Sequence, residues 1–467
     1  MKITFWGAAK QVTGSMHLLT LDDGYNILID CGMNYEQKRE LNETAFSFPF
    51  KPEEIDLIIL THAHIDHSGN IPTIVKQGFK GNIICTTPTF ELTQHLLMDS
   101  ANIQWSEYKN QYNKVSKSKK AKVPKPIYLK KEVEAAMDSF LTLPFNKKFF
   151  IKDNLDIELV EAGHLLGAAS VVIEYTHNNC TKRVGFSGDL GRKHAELIRT
   201  AEPMKNLDYL ICETTYGARN HSSADLAEEE LLKYIDESIV KVRGRLVIPA
   251  FSVGRTQSIV HVLCRIAKKG LLPPVKVFVD SPLAIKSTHV YSNHPELLNA
   301  DAKSFLNSYG DLFEFENLVW IDKLEHHDLV SSYQNSCIII SAAGMVEGGR
   351  IQEHVKNNIQ NPFSTILIAG YCAEGTLGHR LLSGQKSLSI KGKDYRIMSK
   401  IAKTDVFSSH PDKDEIHNYV MACNNSNLKQ IFLVHGDEIN LAAMQQTLLK
   451  DNYTKVEVPD FGDSFML

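Results

Sequence analysis

Cysteine is scarce and scattered: eight residues in 467, from Cys31 to Cys423, with no two at C-x-x-C spacing. That argues against a thiolate zinc site and, at this size and density, against a disulfide framework. Cys212 and Cys337 lie in apolar stretches and read as small core residues. Long apolar runs are missing too. Leu57–Leu60 and Ile366–Ala369 are strand-sized, far short of the roughly 20 residues a membrane span needs. Met1–Gly7 is polar-punctuated and strand-like rather than a signal peptide, so a cytoplasmic protein is expected. There is no G-x-G-x-x-G and no Walker lysine, which leaves little support for a nucleotide cofactor. No Pro- or Gly-rich linker separates domains. A general positive charge is also lacking. The net charge of −4 speaks against a protein held on nucleic acid by its overall field, but not against a local groove.

What is present is an ordinary globular composition, 43% apolar and 23% charged, on a chain long enough for two to four domains. Up to about residue 200, short strands are expected at Ile3–Trp6, His17–Leu21, Asn26–Ile29, Leu57–Leu60, Asn82–Cys85, Leu155–Glu161, Ala169–Tyr175 and Arg183–Phe186. Helices are expected over Gly69–Gln77, Phe90–Tyr112 and Lys131–Leu141. From about residue 210 to 395 a unit of apolar strand, Gly-containing loop and helix repeats, with strands at Arg245–Ile248, Val275–Val279, Cys337–Ile340 and Thr365–Ala369. Continuous apolar strands alternating with helices imply a doubly wound α/β module with a parallel sheet, inserted into the first module. Short strands return at Val406–Phe407 and Gln430–Val434. Nine lysines fall between Lys109 and Lys131. They read either as a solvated loop or as a rim that attracts a polyanion.

The chemistry concentrates in Thr61-His-Ala-His-Ile-Asp-His-Ser-Gly69, directly after the apolar strand. His62, His64, Asp66 and His67 put four potential ligands within six residues. Imidazole and carboxylate are the donors zinc takes when thiolates are absent. Four ligands do not fill two sites, and further donors follow other strands: Asp30 before Gly32, His164 after Gly163, Asp189 after Gly188, and His435 before Gly436. Each sits beside a turn-forming glycine. Together they suggest one sandwich whose strand ends converge on an edge.

This set resembles the metallo-β-lactamase superfamily over the whole chain. The resemblance implies an αββα sandwich and two zinc ions per chain, with manganese a competitor. It assigns His62, His64 and His164 to one ion, Asp66, His67 and His435 to the other, Asp189 as the bridge and Asp30 as an outer support. The inserted module, with Cys212-Glu213-Thr-Thr-Tyr-Gly217, Phe407-Ser-Ser-His410-Pro-Asp412, Val434-His435-Gly-Asp437, Ala250-Phe-Ser-Val-Gly-Arg-Thr-Gln257 and Asp280-Ser-Pro-Leu-Ala284, is similar to the β-CASP nucleases. That group includes the pre-mRNA 3′-end processing endonuclease and RNase J. The implied organisation is a metallo-β-lactamase domain in two parts, 1–207 and 398–467, around a β-CASP domain at 208–397.

By the same resemblance the activity is hydrolysis of RNA phosphodiester bonds in RNA processing or decay. A metal-bridging hydroxide is the nucleophile, with Asp66, Glu213 and His410 as catalytic residues. His410 is the general acid and Glu213 holds it. Single-stranded RNA is the expected partner, no membrane is involved, and the oligomeric state stays open between monomer and homodimer. DNA-directed members generally lack the histidine of the Val434-His435-Gly-Asp437 stretch, which is present here as His435. Endonucleolytic and 5′-exonucleolytic action both stay open. Arg255, Arg350 and Arg380, on or beside Gly-containing loops before helices, and Ser408 and Ser409 beside His410 are candidate phosphate contacts. Two departures from the family pattern are Pro411, where a small residue is usual, and Asp437, where Glu is usual. The competing readings are a DNA nuclease of the same fold, a small thioester or lactone hydrolase, and a catalytically dead RNA-binding scaffold.

Overall fold

The computed structural model describes all residues except 35–46, 116–122, 324–328, 424–427, 452 and 454. Four of the nine lysines, 117, 119, 120 and 122, therefore lie outside the described residues. The chain divides into two compact units. Unit 1 comprises residues 1–192, 200–220 and 410–467; unit 2 comprises 193–199 and 221–409.

Unit 1 is built on two seven-stranded sheets. The first contains β1 (Lys2–Phe5), β2 (His17–Thr20), β3 (Asn26–Ile29), β4 (Leu57–Ile59), β5 (Asn82–Cys85), β6 (Phe140–Thr142) and β22 (Ser464–Met466), in the order β22-β1-β2-β3-β4-β5-β6. The second contains β7 (Lys148–Lys152), β8 (Leu155–Glu161), β9 (Ala169–His177), β10 (Cys180–Phe186), β11 (Tyr209–Glu213), β20 (Gln430–Val434) and β21 (Val456–Glu457), in the order β21-β20-β11-β10-β9-β8-β7. The inner faces share one core, in which Ile3, Leu19, Ile27 and Ile59 meet Ile157, Val171, Phe186, Ile211 and Phe432. Alternation in β8 makes this possible, since Leu155, Ile157 and Leu159 are buried while Asp156 and Glu158 between them are partly exposed. The outer faces are covered by helices: Ile71–Lys76 over the first sheet, and Lys413–Cys423 with Glu438–Lys450 over the second. The result is the αββα sandwich.

Unit 2 carries a six-stranded parallel sheet in the order β14 (Leu318–Trp320), β13 (Lys276–Asp280), β15 (Cys337–Ser341), β12 (Arg245–Pro249), β16 (Ser364–Ala369) and β19 (Lys400–Thr404). Every residue of β15 and β16 is buried, as expected of strands covered on both faces. The helices Arg255–Lys268, Pro282–Asn293, Ile351–Asn358 and Leu377–Leu382 follow these strands. A hairpin of β17 (Ser387–Ile390) and β18 (Lys393–Arg396) completes the sheets.

Three details differ from the sequence reading. The helix expected over Lys131–Leu141 ends at Met137, and Phe140–Leu141 belong to β6. Tyr209–Glu213, read there as opening the inserted module, pairs in parallel with β10 and β20 in the second sheet of unit 1. Val406–Phe407 form a turn rather than a strand. The strand of that region is β19, whose partner β16 supplies the ladder from Thr365↔Lys400 to Ala369↔Thr404.

Candidate metal centre

The strand ends of unit 1 bring the histidines together. β4 delivers His62, β8 leads to His164, β10 to Asp189, β20 to His435 and β3 to Asp30. The turns are tight. Asp30 and His435 adopt left-handed backbones, with φ of 61° and 52°, a conformation that costs a non-glycine residue energy and that surrounding structure must impose. A Cβ on Gly191 would lie 1.8 Å from the carbonyl oxygen of Gly163, so only glycine lets the loops after β8 and β10 touch.

Two donor clusters result. In the first, His62 Nε2 lies 3.1 Å from His64 Nδ1, and His164 Nε2 lies 3.2 Å from the same atom. Asp189 Oδ2 stands 3.6 Å from His62 Nε2 and 3.8 Å from His164 Nε2. In the second, His67 Nε2 lies 3.4 Å from His435 Nε2. Asp189 Oδ1 is 3.2 Å from His67 Nε2 and 3.5 Å from His435 Nε2, and Asp66 Oδ2 is 3.7 Å from His435 Nε2. Asp189 thus turns one carboxylate oxygen to each cluster. An ion with bonds of about 2.0–2.1 Å holds tetrahedral ligands about 3.3 Å apart. The observed edges bracket that spacing, so the residues fit two small divalent ions.

Electrostatics agree in the first cluster. Burial, helped by the neighbouring His67, holds His62 well below the ordinary imidazole range. Burial takes His64 down to about 4 and, with His410, holds His164 low. These rings are neutral with lone pairs available, the form that ligates metal. Burial also opposes charge on His67, but Asp189 and Asp30 together outweigh it and raise its pKa. Burial pushes the Asp189 carboxyl up, and His435, His67 and His62 more than offset it.

Outer contacts fix the rings. Asp30 accepts from Thr61 N at 2.8 Å through Oδ1, and through Oδ2 from the Thr61 hydroxyl at 2.9 Å and His67 Nδ1 at 2.7 Å. The Thr61 hydroxyl in turn lies 3.1 Å from His62 Nδ1. Beside the clusters, His410 Nδ1 is 3.0 Å from Oε1 of the fully buried Glu213. The His410 ring centroid is 4.5 Å from that of His164 and 5.8 Å from that of His435.

One residue of this constellation escaped the sequence reading. The Thr215 hydroxyl lies 2.5 Å from Glu213 Oε2 and 3.0 Å from His435 Nδ1. The only signal was its place two residues after Glu213.

The phosphate candidates all lie in unit 2. Arg255 is buried, stacks on Phe251 at 4.9 Å and donates from Nε to Phe407 O at 3.3 Å. Ser408 is buried, its hydroxyl without a hydrogen-bond partner among the described residues. Ser409 and Arg380 are half-buried. Arg350 is committed elsewhere. Its Nη1 lies 2.5 Å from Oδ1 of the buried Asp280, whose Oδ2 takes His354 Nε2 at 2.7 Å, so Arg350 anchors its loop. Asp437, one of the two departures, caps the helix Glu438–Lys450 by accepting from Asn440 N at 2.8 Å. Among the described residues no helix is long and apolar enough to cross a membrane.

An αββα sandwich with two carboxylate-bridged donor clusters at its strand ends defines a metal-dependent hydrolase of the metallo-β-lactamase type. Comparison with known families carries this further. Residues 10–233 match the metallo-beta-lactamase superfamily, 256–381 the Beta-Casp domain, and 394–459 the Zn-dependent metallo-hydrolase RNA specificity domain. The chain belongs to the β-CASP family of metallo-β-lactamase-fold nucleases. It is 27% identical to ribonuclease TTHA0252 of Thermus thermophilus, over 99% of each chain. To the transcription termination factor FttA of Methanosarcina mazei it is 29% identical, over 96% of this chain and 69% of that one. To FttA of Pyrococcus abyssi it is 28% identical, over 94% and 67%.

Proposed function

We propose that the chain is a two-zinc ribonuclease that hydrolyses RNA phosphodiester bonds in the cytoplasm, in RNA processing or decay. The observation that carries the reading is Asp189, with one oxygen toward each donor cluster and the His410–Glu213 pair alongside. Zinc is favoured by an all His/Asp donor set with near-tetrahedral edges. When bound, the two ions supply a hydroxide nucleophile near neutral pH and neutralise charge on the phosphate oxygens. Asp66 orients the attacking water. Glu213 accepts from His410 Nδ1, which leaves Nε2 of His410 to carry the proton that the departing ribose oxygen takes as the P–O bond breaks. In unit 2, Arg255, Ser408, Ser409 and Arg380 are the assigned phosphate contacts.

RNA is favoured because the ribonuclease among the relatives spans the full chain and the RNA specificity domain matches residues 394–459. The test is turnover and product mapping on end-labelled RNA bearing a 5′ phosphate or a 5′ hydroxyl, beside the same sequence as DNA and an acyl-glutathione thioester. Cleavage of RNA well ahead of both is expected. Faster hydrolysis of the thioester, or of DNA, would overturn the assignment.

A further inference from the structure

We propose that Thr215 is a positioning residue that couples the proton-donor pair to the metal centre, so that one hydroxyl sets both the aim of His410 and the tautomer of His435. The proposal rests on the metal-nuclease reading above. It starts from the Glu213 carboxylate, which is fully buried and saturated. Oε1 accepts from Leu190 N at 2.6 Å and from His410 Nδ1 at 3.0 Å. Oε2 accepts from Thr215 N at 3.3 Å and from the Thr215 hydroxyl at 2.5 Å. Leu190 directly follows Asp189, so this carboxylate already reaches the bridging ligand through one peptide.

The Thr215 hydroxyl has one proton and three neighbours besides Glu213: His435 O at 3.2 Å, His435 Nδ1 at 3.0 Å and His410 Nδ1 at 3.4 Å. A carboxylate is the strongest acceptor among them and makes the shortest contact, so the proton goes to Glu213. The hydroxyl oxygen is then an acceptor, and His435 Nδ1–H donates to it. That holds a proton on His435 Nδ1 and leaves Nε2 as the nitrogen offered to a metal. Nε2 is the atom that faces His67 Nε2 at 3.4 Å, Asp189 Oδ1 at 3.5 Å and Asp66 Oδ2 at 3.7 Å. A ligating histidine needs this kind of support on its far nitrogen. Here it comes from a hydroxyl polarised by the same carboxylate that holds His410.

The backbone puts Thr215 in this place. β11 and β20 run parallel with Glu213 opposite Val434, and just beyond the strands Thr214 N donates to His435 O at 3.4 Å. A Cβ on Gly436 would stand 2.6 Å from Thr214 O, so the two loops touch along their backbones. The β-branched side chain of Thr215 is stiff about χ1 and is buried.

The test uses full-length wild type, T215V and T215S, each stripped of metal. Zinc is titrated back against a chromophoric chelator, and RNA cleavage is then measured at saturating zinc. T215V keeps the shape and loses the hydroxyl. It is expected to weaken zinc binding by about 10–100-fold and, at saturating zinc, to lower kcat by roughly tenfold, with KM unchanged. T215S restores both. The proposal fails if T215V binds zinc as wild type does, if its kcat at saturating zinc matches wild type, or if T215S is as impaired as T215V. T215A, which only removes atoms, replaces T215V if the isostere does not fold. The zinc titration needs no RNA. Weakened zinc binding in T215V beside a wild type inert on RNA would therefore sink the nuclease reading while leaving the His435 arm standing.

Discussion

His410 Nδ1 lies 3.0 Å from Glu213 Oε1, although 197 residues separate the two in the chain. Neither side chain belongs to a donor cluster, and the Glu213 carboxylate is wholly buried. A histidine held this way by one nitrogen is built to use the other. We expect His410→Ala to retain both metals, as measured by metal analysis after gel filtration, while cleavage of an RNA oligomer falls by about 10²–10⁴-fold. A substrate with a thiolate leaving group, which needs no proton, should be spared much of that loss. An unchanged rate on ordinary RNA would remove His410 from the mechanism.

Asp30 is the outer support whose removal should be most costly. Its carboxylate takes Thr61 N, the Thr61 hydroxyl and His67 Nδ1, all of them buried. In Asp30→Ala these donors lose their acceptor, at about 1–3 kcal/mol each where nothing replaces it. Metal affinity should drop about 10–100-fold. Asp30→Asn keeps one acceptor oxygen and should fall between the two in a chelator competition. Equal metal affinity in all three proteins would contradict the assigned role.

Arg350 provides a contrast within unit 2. Its contact with Asp280 is an ion pair with a fully buried carboxylate. Arg350→Ala takes the guanidinium away from that buried charge, a loss on the order of 3 kcal/mol. The expected signature is a lowered midpoint in urea with KM for RNA near wild type. A raised KM at undiminished stability would restore Arg350 as a substrate contact.

These residues also mark how far a sequence can be read. The His62–His67 loop was legible as a donor cluster because its donor groups are local and follow one apolar strand. His164, Asp189 and His435 were legible because each follows a strand beside a glycine, so one rule found all three. Thr215 was not, since its role depends on the β11–β20 register and nothing local distinguishes it from other strand-end threonines. The Arg350–Asp280 pair spans 70 residues, and the sequence offered only loops before helices, which suit phosphate and internal anchoring equally well. Tyr209–Glu213 was read into the wrong module for a similar reason. A buried parallel strand looks the same in either sheet, and only its partners β10 and β20 decide.

Histidine burial predicts an acid limit to stability. In unit 2, burial lowers His261 to about 4, where it packs edge-on to Phe305 and its Nδ1 lies 3.0 Å from Leu312 O. In the unfolded chain the ring titrates near 6.5. Between those values the unfolded state binds the extra proton, so stability rises with pH. The contribution is complete above about pH 6.5 and is lost as pH falls toward 4. Urea midpoints measured from pH 7.5 to 4.5 should decline, and His261→Leu should flatten part of that decline. A wild-type-like slope in the variant would mean that other groups dominate.

The metal loop itself depends on a glycine. Gly32 sits where a Cβ would lie 1.6 Å from the carbonyl oxygen of Asp66 and 2.8 Å from Ser15 N. Both neighbours are backbone and are already tied together, with Ser15 N donating to Asp66 O at 2.8 Å and Gly32 N to Ser15 O at 3.0 Å. No side-chain rotation can relieve the clash. Gly32→Ala must push the Asp66 peptide away, and with it the turn that holds Asp66 and His67 in the second cluster. Gly24 is the control: its φ is +87° and a Cβ there meets nothing within 4 Å, so Gly24→Ala carries only the backbone strain, on the order of 1 kcal/mol. We expect Gly32→Ala to lose metal from the Asp66–His67–His435 cluster, or to fail to accumulate as folded protein, while Gly24→Ala binds both metals and cleaves RNA normally. A fully metallated Gly32→Ala protein would show that the loop has slack that the backbone contacts deny.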